Sequence, residues 1–188
     1  MNKNLLIGLG VIVALVLIVG GWLMSGYNRV VTMDENVKTA WAQVDNQLKR
    51  RYDLIPNLVE TVKGYATHEK EVFEHLADAR TKYFQAPDVK GKIEASGDFE
   101  RALSRLLVLQ ETYPQLKANE SFLKMMDSLE GTENRLSVER KRYNDAVRTL
   151  NTYIRTVFGR FFAGLAGVSK AEYYQVPEAE KAAPKVKF

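Results

Sequence analysis

The sequence contains no cysteine and only two histidines among its 188 residues. The absence of cysteine excludes disulfides, thiolate metal sites, iron–sulfur ligation and cysteine nucleophiles. The histidines, His68 and His75, are seven residues apart, whereas two imidazoles that share a metal ion on one helix are separated by three or four residues. We therefore predict no metal and no cofactor, and we interpret both histidines as surface residues.

Sequence motifs of catalysis are also missing, and the charges are nearly balanced. No His-Glu-x-x-His, Gly-x-Ser-x-Gly or Glu-x-x-His pattern occurs, and no glycine-rich phosphate loop follows a strand. Lys and Arg together number 27 against 23 Asp and Glu, which gives a net charge of +4 without a basic block. The sequence thus predicts a protein that is not an enzyme and has no nucleic acid as partner.

One long hydrophobic run is present, over residues 5–24. It carries no charge and consists mainly of Leu, Ile and Val, and a helix of this length spans about 30 Å, the thickness of a bilayer core. Trp22 stands near its far end, where indole rings favour the headgroup level. A cleaved signal peptide is the alternative, although the run is long for one and no Ala-x-Ala-like site follows. We predict a single-pass anchor in the lipid bilayer, preceded by a tail over residues 1–4.

The flanks of this anchor predict its orientation and its contacts. Lys3 lies in a tail without acidic residues, which favours a cytoplasmic N-terminus and an exported domain. Arg29 and Lys38 on the other side nearly cancel this signal. Gly10 and Ala14 form a small-residue patch that suits packing against the anchor of another copy.

The soluble part follows a seven-residue repeat. From Val37 to Tyr65, alternate steps of four and three residues reach an apolar or aromatic side chain at eight of nine positions. This pattern predicts a helix over residues 28–63 that ends at Gly64.

Two shorter helices and a long final helix follow in the prediction. The short helices are assigned to residues 69–84, capped by Thr67, and to residues 98–113, with a loop rich in Pro and Gly over 86–98 between them. The last apolar pattern crosses Gly131 without a change of phase, so we predict one helix over 119–158. The expected fold is all-α: an N-terminal transmembrane helix, then an elongated antiparallel four-helix bundle over residues 25–158 whose first and last helices are long.

Three charged residues occupy core positions of this repeat, namely Arg51, Glu133 and Arg140. We expect them to form a half-buried cluster that fixes the helix register rather than adding stability. On this hypothesis Glu133→Leu destabilises more than Glu133→Leu combined with Arg51→Leu. The alternative is that the bundle is narrow there and the three side chains extend to water.

The segment over residues 159–176 is rich in glycine and phenylalanine. Together with the end of the last helix it presents four large apolar side chains, Phe158, Phe161, Phe162 and Leu165, beside basic residues. We expect them to contact the membrane surface or a neighbouring subunit, and closure of the base of the bundle is an equally favoured interpretation. Residues 177–188 are predicted to be a flexible tail.

Two long stretches of the soluble part are distinctive, namely RRYDLIPNLVETVKGY over residues 50–65 and GTENR with ERKRYNDAV between residues 131 and 147. They resemble the LemA family of bacterial membrane proteins. This resemblance implies an anchor in the bacterial inner membrane, and the orientation favoured by Lys3 then puts the domain on the periplasmic or extracytoplasmic face. With the anchor, the resemblance extends to about Val157 and thins beyond it. It implies one N-terminal membrane helix, a helical soluble domain and no established enzymatic activity. Family members are often described with a short N-terminus outside the cytoplasm, which is opposite to the orientation favoured by Lys3.

Two functions remain open from the sequence. The first is a membrane-anchored helical scaffold that assembles into a homo-oligomer. The second is an adaptor or sensor that presents its helices to an unidentified protein partner of the cell envelope or of a signalling system.

Overall fold

The computed structural model describes residues 3–175, and within this range every regular element is a helix and none is a strand. Its α-helices are α1 (Lys3–Lys63), α2 (Lys70–Gln85), α3 (Val89–Thr112), α4 (Glu120–Ile154) and α5 (Val157–Ala166), and a short 3-10 helix, Pro114–Ala118, lies between α3 and α4. The predicted all-α class is thereby confirmed. The predicted tail over residues 177–188 lies outside the described residues.

The chain divides into two compact units. The first unit contains the described residues up to Ala40 together with Asp145–Ala171, and the second contains Trp41–Asn144 and the described residues that follow Ala171. By their bounds, α1 and α4 contribute residues to both units, whereas α2 and α3 belong to the second and α5 to the first.

Helix α1 joins the predicted anchor and the predicted first helix of the bundle. Its 61 residues run through residues 25–27, where the sequence analysis had placed a boundary, and include Lys3 and Asn4 of the predicted tail. An 18-residue window in its N-terminal part has a mean hydropathy of 2.7 and is not buried at all. One N-terminal helix is therefore long and apolar enough to cross a membrane.

The ends of α1 and α2 confirm one predicted stop and correct one predicted cap. Helix α1 ends at Lys63, immediately before Gly64, as predicted. Thr67 is not the cap of α2, because that helix begins after Glu69, whose side chain makes no capping hydrogen bond.

The loop predicted over residues 86–98 is wrong, because most of it is helical. Helix α3 begins at Val89 and is capped by Asp88, whose carboxylate accepts a hydrogen bond from Gly91 N at 2.7 Å. Glycine disfavours a helix interior by about 1 kcal/mol, but Gly97 is buried in the second unit. The Asp88 cap and the burial of Gly97 thus stabilise this helix by more than its glycines destabilise it, although the same glycines had predicted a loop.

Helix α4 passes through Gly131 without interruption, as the unbroken repeat predicted. It ends at Ile154, however, four residues before the predicted end at residue 158. Thr156 adopts an extended conformation and its hydroxyl oxygen accepts a hydrogen bond from Gly159 N at 3.0 Å. This N-cap starts α5 as a separate helix.

Most positions of the seven-residue repeat are buried, which explains why the helices form where they do. Fully buried examples in the second unit are Val44, Leu48, Leu58, Leu136 and Tyr143. The pattern fails at its ends: Tyr65 and Val157 are exposed, the former beyond α1 and the latter beyond the end of α4.

Candidate functional site

The structure brings Arg51, Glu133 and Arg140 together inside the second unit, and adds Glu100 of α3. We call these four residues the ion cluster. Arg51 Nη1 donates to a carboxylate oxygen of Glu133 and, at 2.9 Å, to Glu100 Oε1. Arg140 Nη1 donates to Glu133 Oε1 at 3.2 Å, and its Nη2 lies 3.5 Å from Glu100 Oε1. Two guanidinium groups and two carboxylates thus form an alternating arrangement of charge.

Glu100 was missed by the sequence analysis. It follows the core position Phe99 and lies outside the seven-residue pattern, so a solvated side chain was the natural expectation. Its side chain is only 12% exposed, similar to Arg51 at 8% and Arg140 at 10%, whereas Glu133 is 40% exposed. Glu100 is therefore the buried counterion, and the only signal for it in the sequence is its position beside the seam.

The hydrogen bonding of the ion cluster is incomplete. The Nε atoms of Arg51 and Arg140 are buried and find no acceptor among residues 3–175. A buried donor without a partner costs about 1–3 kcal/mol. That the cluster fixes the helix register rather than adding stability stays a prediction.

The ion cluster is also contacted by Tyr174, in the segment that follows α5. Tyr174 is buried, its ring lies 4.7 Å from Arg140 Cζ, and its hydroxyl is 2.6 Å from Ser96 Oγ. Asn144 binds the same residue twice, through Tyr174 N at 2.8 Å and Tyr174 O at 2.9 Å. Burial raises the pKa of the Tyr174 hydroxyl, so this tyrosine stays neutral beside the arginine.

A second polar centre in the same unit is built around Asp45. Its carboxylate accepts hydrogen bonds from the Tyr83 hydroxyl at 2.6 Å and from Lys92 Nζ at 2.8 Å, and it pairs with Lys49 at 2.7 Å. Burial alone would raise the pKa of this carboxyl, but the three donors outweigh burial and lower the pKa to about 2. Burial and the hydrogen bond to Asp45 raise the pKa of Tyr83.

The depressed pKa makes Asp45 a source of pH-dependent stability. An exposed aspartate titrates near 4, so on acidification the unfolded chain takes up this proton first. The stabilisation is complete above about pH 5 and is lost as the pH falls through about 2. We expect Asp45→Asn to lower the free energy of unfolding by about 1–2 kcal/mol at pH 7, and this deficit to shrink by about half between pH 5 and pH 3. Urea denaturation of the full chain in detergent measures it.

The matched control is Asp53→Asn, the same change at a side chain that is 71% exposed. Little change in stability is expected there. A deficit for Asp45→Asn that stays constant from pH 7 to pH 3 would contradict the assignment.

In the first unit, α5 packs against α1 at the end of the hydrophobic run and just beyond it. Phe162 is 1% exposed and belongs to the core of this unit with Val30 and Ala163. Its ring centroid lies 5.0 Å from that of Trp22, and a Cβ atom on Gly26 would overlap the Phe162 ring. Glycine at position 26 therefore allows the close approach of the two helices.

The residues predicted as membrane or oligomer contacts differ in their exposure. Phe162 is a correction, because its side chain is buried within its own chain and is not available to lipid or to another subunit. Phe158, Phe161 and Leu165 are exposed, as are Gly10 and Ala14 on α1. Trp22 is partly exposed and contacts Phe158 at a centroid distance of 5.4 Å.

The two histidines are not placed together on one helix. His75 lies on α2, 3.4 Å from Arg105 Nη1 and 3.8 Å from Glu71, whereas His68 precedes the helix. Among residues 3–175, no group of three or more His, Cys, Asp or Glu side chains is arranged to hold a metal ion. The predictions of no metal and no cofactor remain predictions.

Comparison with known proteins shows what this chain is similar to. Magnetosome protein MamQ 2 of Paramagnetospirillum magneticum is 29% identical over 179 residues, covering 81% of this chain and 66% of the relative. Magnetosome protein MamQ of Magnetospirillum gryphiswaldense is 26% identical over 178 residues, with coverages of 81% and 65%. Protein LemA of Metamycoplasma hominis is 21% identical over 155 residues, with coverages of 82% and 71%. The chain thus spans about two thirds of the length of the MamQ proteins it matches.

The LemA family profile matches residues 40–188. The match includes the region after Val157, where the resemblance had been expected to thin, so the Gly/Phe-rich segment lies within the matched region. It also includes all four residues of the ion cluster. Because the profile covers well over half of the chain, this protein belongs to the LemA family.

Proposed function

We propose that this protein is a membrane-anchored helical scaffold of the bacterial inner membrane that assembles into a homo-oligomer. The observation that carries the proposal is the N-terminal part of α1, where an apolar 18-residue window has a mean hydropathy of 2.7 and is not buried by any of the residues that the structure describes. An apolar surface of this size exposed to water is unfavourable. A bilayer core accepts a helix of this length and composition.

In this proposal the second unit is the rigid part of the scaffold. Contacts between α1 and α4 include Trp41 with Tyr143, at a centroid distance of 5.4 Å, and Arg51 with Glu133. The Tyr52 ring of α1 contacts Tyr83 of α2 and Phe99 of α3 at 4.6 and 4.2 Å. These contacts support an antiparallel four-helix bundle with long first and last helices, which is part of the proposal.

The same contacts favour a binding role over catalysis. The buried arginines and carboxylates of the ion cluster pair with one another, and Asp45 pairs with Lys49, Lys92 and Tyr83. Buried ionic groups with such partners are typical of structural networks. We therefore propose that the protein acts through association and not as an enzyme.

Self-association is proposed through the anchor. Gly10 and Ala14 are four residues apart and lie on one face of α1, a spacing that lets two membrane helices approach closely. A Cβ atom on Gly10 would meet no other atom within 4 Å. This face is therefore open within the chain and accessible to the anchor of a second copy.

The experiment measures the protein mass of the full chain, extracted from membranes in mild detergent, by light scattering. We expect a multiple of the 21.4 kDa chain mass. Gly10→Leu combined with Ala14→Leu is expected to shift the particle towards the monomer, because leucine separates the helices. Gly8→Leu is the matched control, since residue 8 points about 160° away from residue 10 on the helix, and its particle is expected to keep the original mass.

Two outcomes would contradict the proposal. A monomer at every concentration would remove self-association. A particle that contains a second protein in fixed stoichiometry would favour the alternative function, an adaptor that presents its helices to a different partner.

A further inference from the structure

Helix α5 has an apolar surface that the described part of the chain leaves largely uncovered. Val157, Phe158, Phe161 and Leu165 are between 55% and 83% exposed, and their spacing places them on one side of the helix. We call these four residues the α5 apolar face. The opposite side, with Gly159, Phe162 and Ala163, is buried. Among residues 3–175 the helix is therefore apolar on two sides, of which one is buried against the chain and the other is largely exposed.

The position of α5 connects this face to the hydrophobic run of α1. Phe158 and Phe162 contact Trp22, and Phe162 fits against Gly26. Residues 22–26 are the end of the uncharged part of α1, since Arg29 is the first charged residue after Lys3. Indole rings favour the boundary between hydrocarbon and headgroups. The contacts therefore place α5 at the level of the membrane boundary when α1 spans the bilayer.

The charges around α5 have one sign. Between Ala146 and Ala171 the sequence contains four basic residues and no acidic residue. Of these, Arg155 and Lys170 flank the helix and Arg160 lies on it, and all three are exposed. An apolar face bordered by cations is typical of helices that lie in the interface of a membrane with anionic lipids.

We propose that α5 is an interfacial helix that inserts the α5 apolar face into the headgroup boundary of the bilayer spanned by α1. Phe162 and Ala163 hold the helix against α1, while Arg155, Arg160 and Lys170 contact anionic headgroups. The chain then meets the membrane twice, once across it and once along its surface. This inference rests on the proposed anchoring of α1 and adds a second lipid contact far away in the sequence.

The absence of native cysteine allows a direct test by spin labelling. Single-cysteine variants Val157→Cys and Leu165→Cys of the full chain carry a nitroxide on the α5 apolar face. They are placed in phosphatidylcholine vesicles with and without phosphatidylglycerol. Collision with dissolved oxygen and with an aqueous nickel chelate then reports the depth of each label. Leu9→Cys, in the hydrophobic run, and Ser128→Cys, on the exposed surface of α4, are the hydrocarbon and aqueous references.

We expect the nickel chelate to reach both α5 labels severalfold less than the label at position 128, with a deeper position in vesicles that contain phosphatidylglycerol. If the α5 labels match position 128 while position 9 stays in hydrocarbon, the inference is wrong and the anchoring stands. If the nickel chelate also reaches the label at position 9, the inference about α5 and the proposed anchoring of α1 are both wrong. If the α5 labels show dipolar broadening that disappears on dilution with unlabelled chains, a second copy covers this face and the inference is overturned.

Discussion

Replacing Glu100 by leucine is expected to lower the free energy of unfolding by about 3–5 kcal/mol, the cost of leaving buried charge without its partner. Glu100 Oε1 lies 2.9 Å from Arg51 and 3.5 Å from Arg140. Without it, two buried guanidinium groups share the carboxylate of Glu133, which is 40% exposed. Urea denaturation of the full chain in detergent, followed by helical circular dichroism, measures the loss.

The double variant Glu100→Leu with Arg51→Leu is expected to recover part of this loss, because one of the two uncompensated charges is removed and Arg140 keeps Glu133. Glu133→Leu is the comparison at the more exposed carboxylate, and a smaller loss is expected there. An effect of Glu100→Leu below about 1 kcal/mol, or a double variant that loses the sum of both single changes, would show that the ion cluster is not coupled.

Replacing Gly26 by valine is expected to weaken the packing of α5 on α1 by about 1–3 kcal/mol, the cost of overfilling a packed site. A Cβ atom at this position would overlap the Phe162 ring, which is buried and has Trp22 on another side. The ring has little room to move. Amide hydrogen exchange of α5 in the full chain measures the effect, and exchange is expected to be about tenfold faster or more.

Gly21→Val is the matched control, because a Cβ atom on Gly21 would meet no other atom within 4 Å. The two variants introduce the same side chain into the same helix, five residues apart. We expect α5 in Gly21→Val to exchange as in the original protein. Equal exchange of α5 in both variants would show that Gly26 does not determine the docking of this helix.

The seven-residue repeat predicted the helices wherever burial on one side decides the structure. It identified the continuity of α4 through Gly131, because a turn there would have no reason to preserve the phase of the apolar positions. The sequence analysis failed at residues 86–98, where proline and glycine predicted a loop, and after Ile154, where the repeat predicted that α4 continues. In both places a side-chain cap, Asp88 or Thr156, decides where a helix starts, and composition alone describes such segments poorly.

The sequence likewise predicted only part of the candidate site. Arg51, Glu133 and Arg140 were predicted to meet, because charged residues at core positions of facing helices need partners. Glu100 and Tyr174 were not predicted, since neither follows the repeat. Tyr174 becomes part of the cluster only because Asn144 holds its backbone beside α4, a contact between positions 30 residues apart.

The sequence by itself determined that the chain is helical, that α1 begins with an apolar segment able to cross a membrane, and that most positions of the seven-residue repeat are buried. These features follow from local composition and periodicity, which act residue by residue along the chain. The tertiary structure decided that Glu100 is the buried counterion and that Phe162 faces α1 while Phe158, Phe161 and Leu165 face outward. The burial of these side chains depends on which helices pack together. Neighbouring residues of similar character therefore differ in burial only once the helices have packed.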